Sequence, residues 1–62
     1  MQLVTRIDIF RALDCIHDPE RSDWDKEVSQ EELDDMISVL DASDLKVVQE
    51  LEAEVIAKYK DR

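Results

Sequence analysis

The residues able to do chemistry in this chain are mostly carboxylates: 17 Asp and Glu, against a single Cys and a single His. They are densest in "WDKEVSQEELDDM", residues 24–36. Clustered carboxylates can hold a hard cation, move a proton, or present negative charge to a cationic partner. The thiol and the imidazole offer less. A cysteine nucleophile needs a base within reach and an electropositive setting. Cys15 and His17 are two residues apart, which on a helix sends them to different faces. His17 reads instead as a cation at the negative end of a helix dipole. One Cys and one His do not supply the four ligands of a structural zinc site. No nucleophile with its base and no phosphate-binding loop occurs, so the chain is not expected to be an enzyme.

For a hard cation the test is spacing. A twelve-position calcium loop takes ligands at 1, 3, 5, 7, 9 and 12 and a turn residue at 6. With Glu32 at the last position, Asp23 falls at the third, Asp25 at the fifth, Val28 at the eighth and Ser29 at the ninth. This segment resembles an EF-hand loop over about a fifth of the chain. It departs from that family where Arg21 replaces the first carboxylate and Lys26 replaces the turn glycine. Two cations and a missing ligand oppose metal binding, so no cofactor is expected. "VSQEEL" also has the form of a helix start. Ser29 and Glu32 have capping-box spacing, and Val28 and Leu33 have that of a hydrophobic staple.

The placement of charge carries more information. Net charge is −9. Residues 18–44 hold eleven acids against Arg21 and Lys26, while the segments on either side are neutral. Direct binding to nucleic acid phosphates or anionic lipid is disfavoured. A basic protein surface is the expected partner. No run of about 20 apolar residues spans a membrane, and Arg6 and Asp8 interrupt the N-terminal apolar stretch, so no signal peptide is read. The expectation is a soluble, cytoplasmic protein.

The elements that must position these groups are helical. The chain has no Gly and one Pro, and strand turns depend on Gly. The pattern predicts an all-α, small three-helix bundle, a single domain over 1–62, with helices at about 6–17, 30–40 and 44–60. Residues 18–29 are expected as an acidic connecting loop from which Trp24 folds back onto the core. Thr5, Ser29, and Asp41 or Ser43 are the expected N-caps. The apolar faces are Ile9, Ala12, Leu13 and Ile16 with Phe10; Leu33, Met36, Ile37 and Leu40; and Leu45, Val48, Leu51, Val55, Ile56 and Tyr59. Pro19 ends the first helix. The short link between the second and third helices implies that these two pack as a hairpin.

Glu52 falls inside the third apolar face, as a rim residue or a buried charge. Ile7 and Cys15, with Val39 and Val47, lie off the main stripes and are candidates for a second apolar patch used in self-association. The leading functional expectation is a small, non-catalytic protein-binding module. Asp23, Trp24, Asp25, Glu27, Glu31, Glu32, Asp34 and Asp35 would dock on a basic surface, such as that of a nucleic-acid-binding or transcription protein, as a regulator, inhibitor or DNA mimic. The alternative is a structural or assembly protein, homodimeric or joined to a complex through apolar helix faces. Small acidic chains of this style occur in phages and mobile elements, an analogy that names no family.

Overall fold

The computed structural model of the chain describes residues 2–60. It contains three helices, α1 Leu3–His17, α2 Asp23–Ile37 and α3 Ala42–Lys60, packed into a body of 31 × 24 × 17 Å. This is an all-α three-helix domain, as the composition and periodicity predict. No described helix is long and apolar enough to cross a membrane.

The first turn between helices follows from four residues, "DPER". Asp18 has φ −71° and ψ 117°, the extended geometry that a residue before proline is forced into. Its carbonyl accepts from the Arg21 N–H at 3.3 Å, and its side chain accepts from the Glu20 N–H at 2.9 Å. Asp at the first position and Pro at the second are the residues this turn favours. α1 therefore stops at His17. Its start is earlier than expected: the Gln2 carbonyl accepts from the Arg6 N–H at 3.1 Å, so Thr5 lies within the helix. No side chain caps that end.

The largest departure from expectation concerns residues 18–29. These are not a long loop. α2 begins at Asp23, and Ser22 is its N-cap, accepting from the Asp25 N–H at 3.2 Å. The sequence contains two capping boxes seven residues apart, Ser22 with Asp25 and Ser29 with Glu32. The structure uses the first. Nothing between 23 and 29 breaks a helix, so propagation from the earlier cap adds nearly two turns at little cost. α2 also ends early, at Ile37, where the Ser38 hydroxyl donates to the Asp35 carbonyl at 2.7 Å. α3 is capped by Asp41, whose carboxylate accepts from the Asp44 N–H at 2.9 Å.

The core consists of Ile9, Ala12 and Leu13 from α1, Leu33 from α2, and Val48, Leu51 and Val55 from α3. Phe10, Ile16, Met36, Ile37, Leu40, Val47 and Tyr59 pack around it, partly buried. α1 lies against both other helices, whereas α2 and α3 scarcely meet. The expected α2–α3 hairpin is therefore replaced by an arrangement with α1 in the middle. α3 needs only a narrow apolar stripe, because it packs on one neighbour. That explains two corrections at once. Glu52 lies outside the buried stripe and is exposed, and Ile56 is left 44% exposed.

A candidate docking face on the acidic helix

α2 is built to carry charge outward. Its sequence, DWDKEVSQEELDDMI, has seven carboxylates and one ammonium. Only Leu33 is fully buried, and Leu33 fixes which way the helix faces. Trp24 precedes Leu33 by nine residues, which at 100° per residue turns it to the opposite side. It is 70% exposed and does not fold back onto the core, contrary to the sequence expectation. That expectation required a flexible loop, and a helix starting at Asp23 removes the freedom to turn inward.

Seen down the axis, Glu31 and Asp35 fall within about 20° of Trp24, with Glu27 about 60° to one side. All three are exposed. Asp23, Glu32 and Asp34 are exposed on the flanks. From Trp24 to Asp35 the row runs roughly 16 Å. Gln30 Nε2 donates to Asp34 Oδ1 at 2.9 Å and holds that carboxylate in place. Asp25 is half-buried and turned toward α1, where its carbonyl accepts from the Cys15 thiol at 3.7 Å. Of the eight residues expected at a partner site, the helix brings seven to its outer side or flanks and directs Asp25 inward.

Of the two cations of the acidic segment, one is turned inward and the other lies in the turn before the helix. Lys26 precedes Leu33 by seven residues, shares its inward direction and is half-buried. Arg21 stays in the turn, with Nε 3.7 Å from Asp18 Oδ2. Among the described residues no ion pair engages a carboxylate of α2. Negative charge on the outer face is thus left to solvent or to a partner.

The same geometry removes the calcium loop. Residues 23–32 form continuous helix, so Asp23 points to the opposite side from Asp25 and Glu32, and these two stand about 10 Å apart along the axis; the three cannot converge on one ion. No group of His, Cys, Asp and Glu among the described residues is arranged to hold a metal.

A second polar cluster was not foreseen. Asp14 Oδ1 accepts from Lys58 Nζ at 3.1 Å and from the Tyr59 hydroxyl, joining α1 to the end of α3. Lys58 Nζ also lies 5.1 Å from the centre of the Tyr59 ring, within cation–π reach. The hydrogen bond from Tyr59, assisted by Lys58, holds the Asp14 carboxyl below its usual pKa despite some burial. The same contact with Asp14 raises Lys58 and Tyr59. Only charged or hydrogen-bonded forms are stabilised, and no group is left poised near neutrality. The cluster is a clamp between helices.

The expected apolar patch does not assemble. Cys15 packs against α2, and Val47 packs on the core. Val39 stands in the α2–α3 link, 82% exposed. Ile7, 46% exposed, lines a groove between α1 and α3. Comparison with known proteins gives no matching family model, curated protein or solved structure.

Proposed function

We propose that the chain is a non-catalytic binding module whose α2 presents Trp24 and its surrounding carboxylates to a basic protein surface. The supporting observation is the sorting of residues around α2. Every outward position of α2 near Trp24 is acidic or neutral, Lys26 shares the inward direction of Leu33, and Arg21 lies in the turn before the helix, beside Asp18. A face meant only to be soluble would mix charges of both signs. A large exposed aromatic is also a poor solubilising residue, whereas Trp is the residue most enriched among interface anchors.

The chemistry of the partner follows from the charge spacing. Six exposed carboxylates in the 15 residues of α2 amount to one per about 4 Å of axis. A single strand of duplex DNA carries one charge per roughly 3.4 Å. A surface built to receive phosphates is therefore suited to this helix, and the module would act as a competitor or regulator of a nucleic-acid-binding protein.

The test is binding to the partner recovered from source cells at low salt. Three chains are compared: wild type, Trp24→Ala, and Asp34→Asn with Asp35→Asn. Both variants are expected to weaken binding, Trp24→Ala by about thirtyfold or more. The double Asn variant should also reduce the salt dependence. Variants that bind like wild type would reject the reading.

A further inference from the structure

The groove between α1 and α3 is lined by Arg6, Ile7, Phe10, Arg11, Leu51 and Glu54, with Asp14 at its edge, and encloses about 500 Å³. That volume lies within the range of sites that accept a compact organic group. Its floor is apolar, formed by Phe10, Leu51 and the exposed Ile7. Its lining is balanced in formal charge, Arg6 and Arg11 against Asp14 and Glu54, while the chain as a whole carries −9. Arg6 and Arg11 stand on the α1 side, both exposed. Neither makes an ion pair among the described residues, in a chain with more than twice as many acids as bases. Asp14 is already occupied by Lys58 and Tyr59, which leaves Glu54 on the far wall as the groove's one carboxylate without such a partner.

An apolar floor beside two unpaired guanidiniums fits an aromatic side chain flanked by carboxylates. The molecule displays one such group, Trp24 beside the exposed Asp23 and one turn before the exposed Glu27. No residue of α2 lines the groove, and Trp24 points away from the core. One chain cannot fill its own groove in this arrangement, and a second copy can.

We infer that the α1–α3 groove receives the Trp24 end of α2 from another copy of this chain, in a head-to-tail contact. The indole sits on Ile7, Phe10 and Leu51, and Arg6 and Arg11 meet the carboxylates beside it. The two surfaces are different, so the contact is heterologous and leads to rings or chains rather than to a simple two-fold dimer. The contact is independent of the proposed basic partner, although both use Trp24, and partner binding and self-association would then exclude each other.

Sedimentation of the full chain over a concentration series tests this with two variants, Trp24→Ala and Ile7→Asp. Both positions are exposed, so helicity by circular dichroism should match wild type in each. Wild type is expected to associate as concentration rises, and each variant alone to remain monomeric. Mixing the two should restore a one-to-one complex, because Ile7→Asp keeps a sound Trp24 and Trp24→Ala keeps a sound groove. Wild type that stays monomeric throughout, association that survives either variant, or a mixture that fails to pair would each overturn the inference. Failure here leaves the partner reading standing if Ile7→Asp still binds the basic partner, since that variant leaves the α2 face untouched.

Discussion

α2 and α3 lean on the same helix and do so with different means. α3 buries Val48, Leu51 and Val55 against α1 and is tied at its end by Lys58 and Tyr59 to Asp14. α2 fully buries Leu33 alone, packs Met36 and Ile37 partly buried on the core, and meets Cys15 of α1 through the Asp25 carbonyl. α3 is mixed in charge, whereas α2 has seven acids and an exposed Trp24. The difference separates a stabilising element from a presenting one. α1 and α3 form the scaffold, and α2 is a charged blade held by its inner edge.

The largest effect that could break this division is at the scaffold's centre. Leu13 is 1% exposed, and Leu13→Ala is expected to cost about 3 kcal/mol in denaturant melts. In so small a domain that is a large share of total stability. A cost under about 1 kcal/mol would mean that α1 is not the shared core helix.

The next effect concerns where α2 begins. Ser22→Ala should cost about 1 kcal/mol because it removes the N-cap, and Ser29→Ala far less, because Ser29 lies within the helix. Equal costs, or the reverse order, would return residues 23–29 to a loop and release Trp24 from its outward position.

The clamp gives a smaller, pH-dependent effect. The folded-state pKa of Asp14 is lowered from 3.8, so its stabilising contribution is present above that value. The contribution is lost as pH falls through the lowered folded value. Lys58 and Tyr59 are raised, so theirs is present below their ordinary values and lost as pH rises through the folded ones. Tyr59→Phe should flatten the acid limb of a thermal-midpoint profile. A profile identical to wild type would show that the clamp does not hold α3 to α1.

The smallest expected effect is the most discriminating. Trp24→Ala should change stability by no more than about 0.5 kcal/mol, as for a surface residue outside the core, while weakening partner binding strongly. A marked loss of stability would mean that Trp24 is part of the fold.

The sequence shows the scaffold more clearly than the blade. Pro19 marks the end of α1, and the apolar periods of α1 and α3 identify Ile9, Leu13, Val48, Leu51 and Val55. Those signals are local. The start of α2 was ambiguous because Ser22 and Ser29 both satisfy a capping pattern, and the choice between them decides where Trp24 points. The exposure of Glu52 depended on α3 having one neighbour rather than two, which is a tertiary fact. The contact of Asp14 with Lys58 and Tyr59 joins residues 44 and 45 positions apart, and no short-range pattern encodes it. The acidic residues of the candidate site were legible from composition. Their sorting around one helix, with Lys26 turned inward, was not.

The most direct measurement uses Trp24 as its own reporter, since it is the chain's only tryptophan. The recovered basic partner is titrated into the chain at rising salt while indole emission is followed. The expected result is a shift of emission to shorter wavelength on binding, with affinity falling steeply as salt screens the carboxylates. Binding that leaves the emission unchanged, or an affinity indifferent to salt, would contradict the assignment of α2 as the docking face.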